Sequence, residues 1–164
     1  MTTSPVRTRY GAGDDLAQVI ALHDRCSAEA LHRRFHAPLT RVRSRLAGQL
    51  IAPEPGWSVV AEIRDDVVGL ASVGAVSAHE VEVGVIVEDA HRGRGIGGQL
   101  LREVAVEATA RRHRALLCHT QPDNQPVLAT VRRIGLPHTL AESDGVLTVT
   151  MRLSPGTVTP RLPA

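Results

Sequence analysis

"VEVGVIVEDAHRGRGIGGQLL", residues 81 to 101, decides how the rest of the chain is read. Valines at 81, 83, 85 and 87 alternate as the residues of a strand do. Five of the six positions from 92 to 97 are then Gly or Arg. A helical period follows at once, with Leu100, Leu101, Val104, Ala105 and Ala108 on one side. Strand, glycine-rich turn and helix start together make a phosphate cradle. Glycines let backbone N–H groups converge on an anion, the helix start adds the positive end of its dipole, and Arg92 and Arg94 add full charges.

Outward from this stretch the chain alternates cleanly. Upstream, residues 57–63 and 67–76 are two strands joined by a short turn at Arg64-Asp65-Asp66. Before them come three helical segments: 14–25, with Asp14 and Asp15 available to cap its start; 27–35, with Ser27 as N-cap; and 39–50. Downstream, "ALLCHT" (115–120) is a strand, 124–135 a helix closing on Gly135, and 145–153 a last strand. The order predicts one α/β (α+β) domain over 1–153, a mixed and mostly antiparallel sheet with helices on both faces, not a doubly wound fold. A proline-rich tail, 154–164, is expected to be disordered.

Composition narrows the function classes. The chain has 164 residues, enough for one domain with a proper core, and 43% are apolar. With one Trp, one Tyr and one Phe, that core must be aliphatic. The net charge of +2, with both signs interspersed, argues against nucleic acid as a partner. No apolar run is long enough for a membrane span and no signal peptide is visible, so a cytoplasmic location is expected, as monomer or homodimer. Cys26 and Cys118 stand far apart, and His32 and His36 lack the intervening Glu of a zinc-binding HExxH; no metal is expected. All nineteen basic side chains are arginine.

Gly93-Arg94-Gly95-Ile96-Gly97-Gly98 satisfies GxGxxG, so a dinucleotide fold must be weighed. Residues 88–92 separate the strand from the glycines, where a Rossmann turn follows directly, and the next strand ends in His119 and Thr120 instead of a ribose-binding acid. A Walker A loop fails because it needs lysine.

Arg92-x-x-Gly95-x-Gly97, past a valine-rich strand and opening a helix, resembles the acetyl-CoA-binding motif of the GNAT superfamily of N-acetyltransferases. The likeness covers roughly residues 57–153 well and the N-terminal helices more loosely. "QPDNQPVLATVRRIGL" resembles the family's second signature, with Asn124 and Gly135 in place and Leu136 where a Phe is usual. The resemblance implies that Asn124 contacts the pantetheine arm of acetyl-CoA; a plain helix N-cap is its other reading. Many members carry a Tyr that protonates the departing thiolate at a position here held by Val131. "SAEALHRRF", with Ser27, Glu29, Arg34 and Phe35, and the strand containing Glu82 resemble the bacterial protein lysine acetyltransferases of the Pat type.

From this resemblance the pyrophosphate is expected on Arg92, Gly93, Arg94, Gly95, Ile96, Gly97 and Gly98. The pantetheine arm is expected along the backbone of Val85, Ile86 and Val87, where an N–H polarises the thioester carbonyl. Glu80 and Glu82 lie on the strand face opposite the valines. Glu82, in mid-strand, is the expected base that takes a proton from a primary amine, with Glu80 the alternative. The acceptor is a protein lysine or a small-molecule amine; a non-catalytic acyl-CoA sensor and an oxidoreductase remain as other readings. Residues 27–50, with arginines 33, 34, 41, 43 and 45, are expected to line the acceptor side.

Overall fold

The computed structural model describes residues 5–156. Among them seven strands form one sheet: β1 (Arg7–Tyr10), β2 (Gly56–Ile63), β3 (Asp66–Ala75), β4 (Glu80–Val87), β5 (Ala115–Thr120), β6 (His138–Ser143) and β7 (Val146–Arg152). Their order across the sheet is β1-β2-β3-β4-β5-β7-β6. Every neighbouring pair is antiparallel except β4 and β5, which are parallel and joined by the one helical crossover. The helices are α1 (Leu16–Asp24), α2 (Ala28–Phe35), α3 (Ser44–Ile51), α4 (Ile96–Ala110) and α5 (Gln125–Ile134).

The alternation of β4 builds the two layers. Val81 and Val83 are buried on one face with Leu100 and Val104 of α4. Ile86, on the other face, is buried with Leu22 of α1, Leu31 of α2 and Leu50 of α3. Six α4 residues, Ile96, Leu100, Leu101, Val104, Ala105 and Ala108, are buried. Each large aliphatic among them contributes roughly 1.5–3 kcal/mol by leaving water. No helix among the described residues is long and apolar enough to cross a membrane.

Two strands escaped the sequence reading, and both are sheet edges. β1 reads Arg-Thr-Arg-Tyr, without apolar alternation, and is held by Arg9, which bonds Asp15 at 2.7 and 2.8 Å and also pairs with Glu62. β6 is exposed along nearly its whole length; its signal was the Asp144-Gly145 pair, whose φ values of 51° and 75° turn it back onto β7. The Arg64-Asp65 turn between β2 and β3 uses the same left-handed pair, at 52° and 68°.

Three local expectations are corrected. Residues 39–43 are not helical: Arg43 is the extended N-cap of α3, and Val42 is drawn into the core from a non-helical stretch. Asp15 stands at the N-cap of α1, but its carboxylate serves Arg9 and the Ala12 N–H instead of the helix, and the Arg9 hydrogen bond holds its pKa low. Asn124 stands at the N-cap of α5 without capping it, because its side chain turns inward to donate to Thr120 Oγ1 at 2.8 Å. The tail expected at 154–164 falls, from residue 157 on, outside the described residues.

Candidate active site

β4 and β5 pair only from Glu80–Ala115 to Glu82–Leu117, while β4 stays paired with β3 through Val87. Beyond Glu82 the sheet is therefore split. The direction of each peptide group of β4 follows from its ends. Glu80 O accepts from Val76 N–H and Glu88 N–H donates to Val68 O, so even-numbered residues face β3. His79 O accepts from Arg114 and Ala115, so odd-numbered residues face β5. Val83 N–H closes the last β4–β5 pair, so it is the Val83 C=O and the N–H and C=O groups of Val85 and Val87 that point into the gap, whereas those of Ile86 are spent on β3.

A cavity of about 610 Å³ fills this split. At one end lies the glycine turn. Gly93 and Gly95 adopt φ of 73° and 79°, and an added Cβ at either would meet no neighbour, so it is the left-handed backbone and not crowding that calls for glycine. Gly95 is the N-cap of α4, and the first-turn N–H groups of Ile96, Gly97 and Gly98 have no acceptor within the helix. Arg92 lines this end and is held by Asp89 at 3.0 Å. Arg94 does not reach the cavity; its guanidinium pairs with His91 Nδ1 at 2.8 Å. Arg102 and Arg133, from α4 and α5, bring two further cations to the wall, and Asn124 lines it beside Thr120.

The other end is built from side chains of three separate elements. Glu82, half-exposed, lines it from β4; Glu80 does not. His119 of β5 lies 3.8 Å from Glu82, with its other ring nitrogen 3.0 Å from Thr148 Oγ1. From α2 come Glu29, Arg33 and Arg34, with His36 just beyond it. α2 is tied to the turn between β4 and α4: Ser27 caps the helix, and its N–H and hydroxyl both donate to Asp89, at 2.8 and 3.0 Å. Arg41, Arg43 and Arg45 are not on the cavity wall, and Arg41 faces Asp24 at 3.7 Å.

Two further groups bear on the chemistry. Cys118 lines the cavity but burial pushes its thiol up to about 11, so it is a poor nucleophile at neutral pH. Tyr10 is far from the cavity, bonded to Glu107 and raised to about 12 by burial and that bond. Val131, where the thiolate-protonating Tyr is common, is a buried core residue.

His119, Arg102 and Arg133 were not anticipated. His119 had a usable signal: in "ALLCHT" the alternation places it on the Leu117 side, and Leu117 pairs with Glu82. The two arginines had none, because nothing local marks which arginine on a helix faces a cavity.

The chain matches the acetyltransferase (GNAT) family over residues 17–136 and belongs to it. It is an acetyl-CoA-dependent N-acetyltransferase by that membership. Its fold is similar to the GNAT domain of PAT from S. lividans, at 23% identity over 90% of each chain with a TM-score of 0.82. It is also similar to yncA from Salmonella typhimurium, solved with its cofactor acetyl-CoA, at 21% identity over 92% of this chain and 95% of that one, TM-score 0.74. The ribosomal-protein-alanine N-acetyltransferase from Brucella melitensis shares 24% identity over 90% of this chain and 99% of its own, TM-score 0.72. No curated protein matches the chain as a relative.

Proposed function

We propose that the chain moves an acetyl group from acetyl-CoA to a primary amine by direct attack, with Glu82 as the base. The observation that carries this reading is the split between β4 and β5, which leaves the Val85 and Val87 peptide groups facing a cavity that ends on the glycine turn. The residues fit the co-substrate: an extended pantetheine arm suits an unpaired strand edge, and a pyrophosphate suits left-handed glycines opening a helix. Bound acetyl-CoA supplies the activated acetyl group.

Arg92 and the N–H groups at residues 93–98 hold the pyrophosphate, with Arg94 a peripheral charge. Val85 and Val87 orient the arm through their backbone, and Ile86 keeps that edge in place through its bonds to β3. An odd-numbered N–H of β4 donates to the thioester carbonyl oxygen, where negative charge develops. Asn124 fixes the wall of the arm's channel through Thr120. Glu82 accepts the proton of the attacking amine, and His119 beside it positions the carboxylate. A CoA thiol has a pKa near that of cysteine, about 8.5, so its thiolate departs without the missing Tyr. Residues 1–153 are the catalytic domain in this reading, acting in the cytoplasm as monomer or homodimer.

The acceptor is a protein lysine or a small-molecule amine. A screen for free CoA thiol against amines and candidate proteins tests the reading: an acetylated amine formed with stoichiometric thiol is expected. Acetyl-CoA binding with no release against any acceptor would make the chain an acyl-CoA sensor.

A further inference from the structure

The cavity holds three arginines, 34, 102 and 133, that no hydrogen bond or ion pair from the described residues satisfies. Arg102 and Arg133 are exposed, and water solvates them. Arg34 is not. Its guanidinium lies flat on Gly84, where an added Cβ would collide with Cζ, Nη1 and Nη2 alike, and its own neighbour Phe35 covers it from 5.0 Å. Burial pushes its pKa down, with Cys118 and Glu82 the nearby groups that favour the charge. Glu82 attracts this cation without forming an ion pair with it, so a guanidinium partly withdrawn from water keeps no direct anionic partner until one arrives. A mid-strand glycine also costs stability unless something must come close to the backbone, and here it is this guanidinium.

Gly84 and Glu82 share one face of β4, two residues and about 6.6 Å apart along the strand. The acceptor end of the cavity thus presents a carboxylate and, one pleat away, an unpaired guanidinium. That pair complements a zwitterion: an ammonium for Glu82 and an anion for Arg34. The anion that best fits a planar guanidinium fork is a carboxylate, which takes two parallel N–H bonds. Charge-assisted bonds of about 2.7–2.9 Å at each end leave room for only a few bonds between amine and carboxylate. The pyrophosphate cannot serve as Arg34's partner, because its cradle lies past the far end of β4. A lysine side chain brings an ammonium with no carboxylate a few bonds away, so a protein acceptor would satisfy Arg34 only through a neighbouring acidic residue.

We propose that Arg34 binds the carboxylate of the acceptor, and that the acceptor is a small amino acid whose carboxylate lies close to the amine that is acetylated. This rests on the acetyl-transfer reading above and names its substrate class. α2 is the element that sets the geometry, since the Ser27–Asp89 bonds fix its start and Gly84 gives its last turn a place to rest.

The test is thiol release from acetyl-CoA with the proteinogenic amino acids, each beside its carboxamide and its decarboxylated amine, together with lysyl peptides. For at least one amino acid, kcat/KM is expected to exceed that of its carboxamide by about 10- to 100-fold, the worth of a charged hydrogen bond. Arg34→Gln should collapse that ratio towards one and Arg34→Lys should restore part of it. Gly84→Ala, which displaces the guanidinium, should act like Arg34→Gln. Acetyl-CoA affinity by calorimetry reports whether each variant is folded. Carboxamides or lysyl peptides acetylated as well as the free acids overturn the proposal while leaving acetyl transfer intact, and the unaltered protein alone decides that. A ratio that survives in folded Arg34→Gln also overturns it. If no member of the panel releases thiol, this proposal is overturned, while the wider screen of amines and proteins decides separately whether the chain transfers acetyl groups at all.

Discussion

The two ends of the cavity are made of different material. The end proposed for the cofactor is backbone: N–H groups of Val85, Val87 and the turn before α4, arranged by glycines and by a strand that loses its neighbour. The end proposed for the acceptor is side chains: Glu82 from β4, His119 from β5 and Arg33 and Arg34 from α2. A backbone site needs a contiguous stretch with the right dihedral preferences, so it is written locally in the sequence. A side-chain site is assembled by tertiary packing from residues far apart in the chain, as the bond from Gln121 Nε2 to His32 O, across a separation of 89, illustrates for α2 and the segment after β5. The same contrast predicts that mutations at the two ends fail in different ways.

The largest effect is expected at the acceptor end. Glu82→Gln should cut turnover by about 10²- to 10⁴-fold, the usual worth of a general base, and leave acetyl-CoA affinity unchanged. The deficit should shrink as pH rises and the amine loses its proton unaided, which a kcat–pH profile reads. Glu80, off the cavity wall, should tolerate the same change. If Glu80→Gln is the crippled variant, the base has been assigned one pleat too far along the strand.

At the cofactor end the loss should appear in binding. Alanine in the left-handed region costs roughly 1–2 kcal/mol, so Gly95→Ala should weaken acetyl-CoA about 5- to 30-fold, seen by calorimetry, with turnover at saturating acetyl-CoA less affected. Gly97→Ala, which adds a methyl group 3.9 Å from Val87 inside the first turn of α4, tests crowding separately from strain. Unchanged affinity in both folded variants would remove the phosphate-cradle account.

A smaller effect separates the arginines. The sequence grouped 33, 34, 41, 43 and 45 as one acceptor surface, but only Arg33 and Arg34 line the cavity. Charge reversal at Arg41 and Arg43 should move the KM of a small acceptor by no more than about twofold, the scale of exposed charges. A large rise specific to the acceptor would bring that surface back into the site and favour a protein substrate.

The smallest expected change is none at all. Lysine is absent, so the N-terminal amine is the one nitrogen acceptor of that kind in the chain, and excess acetyl-CoA should add at most one acetyl unit by intact mass. A stable acetyl on Cys118 would oppose direct attack, and its thiol, raised to about 11, argues against that route.

How much was legible follows the same division. Strand, turn and helix from 81 to 101, the α2 cap at Ser27 and the Gly135 stop of α5 could all be read because each rests on contiguous residues. The edge strands β1 and β6 could not, because pairing at a sheet edge needs no buried face. The N-cap reading of Asn124 failed for a related reason: its position at the helix start was readable, but Thr120 competes for its side chain and only the fold brings the two within 2.8 Å. Arg34 could be placed on a helix from sequence, yet its rest on Gly84 required knowing that α2 crosses β4.

The central claim is that acetyl-CoA enters as a strand-like wedge between β4 and β5. Residue-resolved amide exchange on β4, with and without acetyl-CoA, tests it most directly. The account predicts that Val85 and Val87 gain protection on binding, while Gly84 and Ile86, already bonded to β3, change little. Exchange at Val85 and Val87 that is unaltered in saturating acetyl-CoA would contradict it.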